Sequence, residues 1–513
     1  MSAHILLDNM GQSSGKRPST DPGENGSANL LPTTPTSPTT PATPGVTDHL
    51  QPTQDHPQVY RSRWLMLALF SIYSFSSAFQ WIHINIIANV ILRFYNESLP
   101  EDAFQRETAI DWLSMLYMLA YIVLVIPATW VLDKKGLRIC HILGSLLNAI
   151  GAWIKCASVS GDRFAVLMFA QTICACAQMW VIGIPARLAA VWFGPNEVST
   201  ATSIGVFGNQ VGVAAGFLLP PEIVPNSASL DDVGRNLSIM FYGTAAFTTL
   251  LFLAIVVVLK DAPPKPPSRA QMLAVEASKN EDYLSSLFRL LKNPGFIILT
   301  ISYGINTGSY YAISTLLNAV VLNYYEGQEQ NAGRIGLTIV LAGVLGSVVA
   351  GIWLDKTKTF KGTSLTIYIL SMVGMVVFTF TMNLGHIWIV FLTGGALGFF
   401  MTGYLPVGFE FAAEITFPEG EGTSSGLLNA SAQFFGIIFT IGMRAIMNRL
   451  GVLAGNLTLA VALLVGSIMT AFIKADYRRQ KAEKEFFAKL DNIEIEVRET
   501  NEERNAELAH EII

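Results

Sequence analysis

Residues 130–138 read WVLDKKGLR, and residues 351–361 read GIWLDKTKTFK. Each string closes an apolar run with Leu-Asp-Lys and then turns basic: Asp133, Lys134, Gly136 and Arg138 in the first, Asp355, Lys356 and Lys358 in the second. Counting apolar runs of about 20 residues or more, the length that crosses a bilayer core as helix, gives spans at 63–92, 109–132, 139–159, 164–192, 198–220 and 238–260. A second set follows at 295–322, 332–354, 363–384, 386–412, 424–447 and 452–474. The two basic turns therefore each follow the second helix of a set of six. A duplicated six-helix unit is the economical reading, with a chance basic turn as the alternative for either copy alone.

Composition leads to the same class. Of 513 residues, 51% are hydrophobic and only 14% charged, where soluble domains carry roughly 25%. With mean hydropathy at +0.43, this chain needs lipid to cover its apolar surface. Helix is the open-ended way to span it, because unpaired backbone groups find no water partner in hydrocarbon. A net charge of -5 argues against a nucleic-acid face. Cys140, Cys156, Cys174 and Cys176 lie in or beside apolar runs without metal-ligand spacing, so they read as small buried hydrophobes and no cofactor is expected.

The expected organisation is a disordered cytosolic Pro/Thr-rich tail over 1–58, a six-helix bundle over 59–260 and a cytosolic connector over 261–293. A second bundle over 294–475 and a charged cytosolic tail over 476–513 complete it. Lys134, Lys135, Arg138, Lys265, Arg269, Lys356, Lys361 and Arg478 gather in loops of one side, which puts both termini in the cytosol. Of the Asn-x-Ser/Thr sites, Asn96, Asn236 and Asn456 fall on the other side, and Asn96 alone stands clear of the membrane as a glycosylation site. Gly208, Gly212 and Gly216 on the fifth helix, and Gly343, Ser347 and Gly351 on the eighth, form small-residue ridges for close helix packing. They serve either the seam between halves or packing within one bundle.

Transporters built from such repeats bind substrate near the midplane, between the halves. Trp81 on the first helix and Tyr311 on the seventh lie only about 3 residues from mid-span, roughly 5 Å at helical rise, too deep for headgroup anchors. Gln178, Asn209, Gln210, Asn429 and Gln433 are uncharged polar residues at depth, whereas Asp111 and Glu410 lie near helix ends. Two aromatics and several amides without a midplane carboxylate suit a quaternary ammonium moved down its gradient. Ring faces stabilise such a cation by about 0.5–2 kcal/mol each, and an amide such as Gln178 or Gln433 takes its polar end. Ordinary helix packing is the alternative for the rings, and interhelical hydrogen bonding for the amides. The G-x-S-x-G match at Gly422–Gly426 reads as a helix start, so no enzyme is expected.

The turn 130–138 resembles the loop motif of the major facilitator superfamily, with Thr129 in place of its leading Gly. The strings QWIHINIIANV (80–90), TAIDWLSMLYMLAYIVLVIPATWVLD (108–133), RLAAVWFGPNEVSTATSIGVFGNQVG (187–212), YYEGQEQNAGRIGLT (324–338) and GFFMTGYLPVGFEFAAEITFPEGEGTSSGLLNASAQFFGI (398–437) closely resemble the feline leukaemia virus subgroup C receptor (FLVCR) family. The likeness runs over nearly all of 60–475. It implies an all-α membrane protein, twelve transmembrane helices as two pseudo-symmetric six-helix bundles, that carries choline, with ethanolamine a related substrate and haem an alternative cargo. It further implies that Trp81 and Tyr311 cage the choline head, that Gln178 and Gln433 stand near the hydroxyl end, and that Asn209 holds a cavity or gating position. Asp133, Arg138 and Asp355 are then the latch of the cytosolic gate. His83 replaces a family Gln and, about 200° around the helix from Trp81, is expected to face away from the cage. A plasma-membrane monomer is expected, with endoplasmic reticulum or mitochondrial membrane as the alternative host and a non-transporting receptor as the alternative role.

Overall fold

The computed structural model describes residues 59–194, 197–265, 267, 283–482, 484, 485 and 488. The Pro/Thr-rich tail 1–58, most of the connector and most of the charged tail lie outside the described residues, as does the side chain of Asp133.

Among the described residues, twelve long helices appear where the apolar runs predict them. The first half comprises α1 (Ser62–Phe94), α2 (Ala103–Leu132), α3 (Lys134–Cys156), α4 (Phe164–Ala177, Met179–Ile182 and Ile184–Trp192), α5 (Val198–Ile223) and α6 (Leu230–Val258). After a short connector helix, Tyr283–Leu291, the second half comprises α7 (Pro294–Tyr324), α8 (Glu329–Thr357), α9 (Phe360–Thr381), α10 (Ile387–Thr416), α11 (Glu421–Leu450) and α12 (Val452–Phe472). Lipid is the evident covering for the outward faces. Val123 on α2, Leu250 and Val257 on α6, and Val461 and Phe472 on α12 are all exposed and apolar.

Eleven of these twelve helices contain a stretch long and apolar enough to be recognised as a membrane span by hydropathy. The exception, α7, is the most instructive. It buries Ser302, Asn306, Thr307, Ser309, Ser314, Thr315 and Asn318 against neighbouring helices. Protein rather than lipid surrounds it, so it tolerates polar residues that a lipid-facing helix excludes.

The basic turn between α2 and α3 has a steric logic. Gly136 sits at φ 83°, the left-handed region that favours glycine, and a Cβ there collides with the Asp261 carboxylate. That carboxylate, just past α6, accepts the backbone N–H of Arg138 at 3.0 Å and so caps α3. In the matching turn after α8 it is Lys358 that takes the left-handed conformation, at φ 52°.

Both glycine ridges pack within their own half. Gly208 abuts Ser71, Gly212 abuts Phe75 and Gly216 abuts Ile82, all on α1, while Gly343 abuts Thr402 on α10 and Gly351 faces open space. Helices α5 and α8 do meet across the halves, with the Phe217 ring lodged on Gly336 and the Phe217 carbonyl and Pro221 against Gly333. The seam needed a large ring entering a small-residue notch, not two small faces.

The halves join at the end opposite the termini. Arg444 on α11 grips Asp111 on α2 with Nε–Oδ2 at 2.7 Å and Nη2–Oδ1 at 2.8 Å. Asn318 donates to the Ile86 carbonyl at 2.8 Å and to Asn89 Oδ1 at 3.1 Å. Asn89 and Asn226 both donate to Glu329 Oε1, at 3.0 and 2.8 Å. Arg334 pairs with Glu222 at 2.8 Å, and the Ser114 and Thr315 hydroxyls lie 2.9 Å apart. Asp111 is therefore no solvated helix-end residue: it is 1% exposed and neutralised by an arginine 333 positions away.

Candidate functional site

A cavity of ≈ 410 Å³ lies between the halves, within the range of small-molecule sites. Its closed end is aromatic, with Trp81, Tyr117, Tyr310 and Tyr311 in the wall, and Tyr303 lines it about two turns of α7 nearer the termini. Its other end reaches the first turns of α5 and α11 at Thr202, Glu421 and Gly422, on the side of the chain termini. With the opposite side sealed, the molecule is open toward the termini.

Trp81 comes from α1 and Tyr311 from α7, the equivalent first helices of the two halves. Their ring centroids are 5.7 Å apart and their planes 79° from parallel. Two features bring them together. First, α1 loses regular helical geometry just beyond Trp81, passing through a 3₁₀ turn at Asn85–Ile87. Second, α7 and α11 touch backbone to backbone: a Cβ on Gly308 lies 2.7 Å from the Gly436 nitrogen, and one on Gly436 lies 3.3 Å from the Tyr311 ring and 2.9 Å from Met118 Sδ. Only glycine at these positions lets the Tyr311 ring occupy its site.

The sequence-predicted amides join the rings. Gln178, Asn209 and Gln433 all line the cavity, together with Gln210 and Asn429. Gln178 does so from a break in α4, where that helix ends at Ala177 and resumes at Met179. The next break, at Gly183, follows from Pro185, which lacks the N–H that would bond the Val181 carbonyl. Glu410 and Glu421 stand at the cavity mouth, where their negative charge raises the local concentration of a cation.

The predicted latch residues are not brought together in this open state. Arg138 bonds the Asp261 carboxylate through its backbone and the Val256 carbonyl through its guanidinium, both within its own half. Asp355 pairs with Lys358, 3.7 Å away in the same turn. The Asp133 side chain lies outside the described residues.

His83 faces away from the cage, as the helical offset predicts. It is fully buried, stacked on Phe79 at 5.2 Å and edge-on to Phe241 at 6.2 Å. No His, Cys or Met is among the cavity-lining residues, so tyrosine is the one type of axial haem ligand in the described wall. Among the described residues, no group of three or more His, Cys, Asp or Glu is placed to hold a metal ion. The Gly422–Gly426 string forms the start of α11, as expected. Asn96 is exposed in the α1–α2 turn, but Asn456 is 1% exposed inside α12 and unavailable to a glycosyltransferase.

Three elements of the site escape a sequence reading. Arg444 sits inside the apolar run 424–447, and an intramembrane arginine is itself a signal of a buried partner. Lys155 looks like an interfacial lysine at the end of α3, yet it is 1% exposed. Asn89, Asn226 and Glu329 look like ordinary loop-proximal polar residues until the fold joins them.

The comparisons with known proteins agree with this architecture. The family model for the Major Facilitator Superfamily matches residues 64–366. The chain is 56% identical over 429 residues to the choline/ethanolamine transporter flvcr2a of Danio rerio, covering 83% of this chain and 90% of that one. It is 53% identical over 449 residues to the choline/ethanolamine transporter FLVCR2 of Homo sapiens, covering 87% and 83%. The choline/ethanolamine transporter FLVCR1 of Felis catus is 52% identical over 419 residues, covering 81% and 73%. Among solved structures, a bacterial homologue of the human lysosomal transporter Spinster superposes with TM-score 0.62 at 13% identity, covering 82% of this chain and 99% of that one. The E. coli fucose:proton symporter FucP gives 0.55 at 16%, covering 81% and 100%. From its twelve-helix architecture, its central cavity and these likenesses, the chain is a multi-pass membrane transporter that belongs to the FLVCR family of the major facilitator superfamily.

Proposed function

We propose that this chain moves choline, and ethanolamine as a second substrate, by facilitated alternating access, with the ammonium head held between Trp81 and Tyr311. The observation that carries the reading is the pair of near-perpendicular rings, one from each half, at the closed end of the central cavity. A ring face attracts a desolvated quaternary ammonium by about 0.5–2 kcal/mol. Because the head is weakly hydrated, that attraction survives the loss of water. The neutral amides Gln178, Gln433 and Asn209 supply partners for the hydroxyl, and for the N–H donors of ethanolamine, without fixing a charge in the wall. The names of the relatives support the same substrate class.

In the proposed cycle the termini are cytosolic, and the Arg444–Asp111 and Asn318–Asn89–Glu329 contacts seal the outer side while substrate exchanges with the cytosol. Those contacts part as the halves rock. The cytosolic side then closes around Asp133, Arg138 and Asp355. No step uses a proton, because Asp111, the one fully buried carboxylate on the seam among the described residues, is already paired with Arg444. The protein acts as a monomer in the plasma membrane and carries a glycan on Asn96.

The test is flux in liposomes containing the purified protein, with choline, ethanolamine and haem measured side by side. Saturable choline and ethanolamine movement that needs no pH gradient supports the proposal. Haem movement without choline movement, or choline binding without flux, overturns it.

A further inference from the structure

Behind Trp81 lies a polar cluster that the cavity does not include. Gln80, the residue before Trp81, is fully buried. Its Oε1 accepts from Lys155 Nζ at 2.9 Å and from Cys174 Sγ at 3.3 Å. Its Nε2 donates to Asn148 Oδ1 at 2.8 Å, and Asn148 in turn donates to Ser76 Oγ at 2.9 Å. The break in α1 just beyond Trp81 leaves the Gln80 carbonyl without its helical partner; it accepts from Gln171 Nε2 at 2.9 Å and lies 3.0 Å from His83 Nδ1. Helices α3 and α4 thus grip α1 one residue before the cage ring, at the point where its backbone leaves the helix.

Lys155 is the costly member of this cluster. Among the described residues no carboxylate pairs with it, and an ammonium or amine sealed from water carries a desolvation penalty that a packing residue of the same length avoids. Its donor bond to Gln80 is available in either protonation form, so it holds Gln80 whether charged or neutral. We propose that Lys155, acting through Gln80, is a positioning residue that fixes α1 at its break and thereby aims the Trp81 ring into the cavity. This rests on the reading of Trp81 as the ammonium-binding ring.

The test is equilibrium binding of labelled choline to purified full-length protein, with uptake at matched surface level as the second readout. Lys155→Met is expected to weaken binding up to about tenfold, the scale of one hydrogen bond, with maximal uptake rate within about twofold. Gln80→Leu is expected to do the same. The paired variant Lys155→Met/Gln80→Leu is expected to be no worse than either single one, because two residues acting through one bond are not additive. The paired variant also leaves neither partner of that bond stranded, so it keeps the test alive where a single variant does not reach the surface. Wild-type affinity in either Lys155→Met or the paired variant overturns the proposal, as do additive losses. Trp81→Ala, run alongside, separates the two failures: intact binding there sinks the cage itself, whereas lost binding there with intact binding in Lys155→Met sinks only the positioning role.

Discussion

Replacing Arg444 by Met removes the only cation seen to pair with Asp111 among the described residues, while preserving the bulk of the side chain. In the structure the guanidinium and carboxylate are 7% and 1% exposed and joined by two bonds of 2.7 and 2.8 Å. Removing one partner of such a pair strands a charge at a cost of about 3–5 kcal/mol. The protein has an escape that a rigid core lacks, since parting the α2–α11 seam lets water reach Asp111. The closed outer side therefore loses about 3 kcal/mol or more against the outward-open state, shifting the ratio of the two by about a hundredfold. A cysteine at Thr315 reports this, because Thr315 is 2% exposed and sealed against Ser114 on the closed side. Labelling of Thr315→Cys by a membrane-impermeant thiol reagent from outside is expected to accelerate about a hundredfold in the Arg444→Met background. The chain with only its four native cysteines serves as the blank. Asp111→Leu/Arg444→Met, which leaves without its cation only the part-exposed Glu107, 3.5 Å from Arg444, is expected to restore slow labelling. Equal labelling rates with and without Arg444 would refute the idea that this pair holds the outer side shut.

Three further outcomes follow from the geometry. Gly436→Ala puts a methyl 3.3 Å from the Tyr311 ring; overpacking of this kind costs about 1–3 kcal/mol, so choline KM in an uptake assay is expected to rise about tenfold while surface level changes little. Asn96→Gln is expected to abolish the mobility shift produced by a deglycosylating enzyme, and Asn456→Gln to leave it unchanged, because Asn456 is buried in α12. The connector helix is tied to the α10–α11 loop by Arg289 and Ser286 on Glu419, at 2.6 Å each, and the Arg289 guanidinium holds the Glu419 carboxyl below the usual carboxylate range. A depressed carboxylate stabilises the folded arrangement above its ordinary pKa and loses that contribution as pH falls through the folded value. Proteolysis in the connector is therefore expected to speed up below the ordinary Glu range, and Glu419→Gln to give the fast rate already at pH 7.

How much of this was legible beforehand varies by the distance over which each feature is decided. Helix number and position follow from run length and the absence of water in lipid, and all twelve fall where the apolar runs lie. Trp81 and Tyr311 could be singled out because depth in a span is a local property. Whether they face one another is not, and it hinges on Gly308 and Gly436 letting α7 reach α11. The Asp111–Arg444 pair joins residues 333 positions apart, and nothing near Asp111 announces its partner. Lys155 misleads for a physical reason: a lysine at a helix end usually sends its amine outward to water, and the same residue type at the same place here turns inward to Gln80. The glycine ridges show a further limit. Spacing reveals that a helix face is small, but only the opposing Ser71, Phe75 and Ile82 reveal which helix it meets.

The central claim is that two ring faces recognise a positive charge, and one measurement isolates that. Binding of choline is compared with binding of its uncharged isostere, in which carbon replaces nitrogen, using wild-type protein and the Trp81→Ala and Tyr311→Ala variants. Shape and hydroxyl are common to both ligands, so their affinity ratio reads the charge alone. The account predicts that wild-type protein prefers choline by about tenfold or more and that either variant loses most of that preference. Equal affinity for the two ligands in wild-type protein, or a preference that persists in either variant, contradicts it.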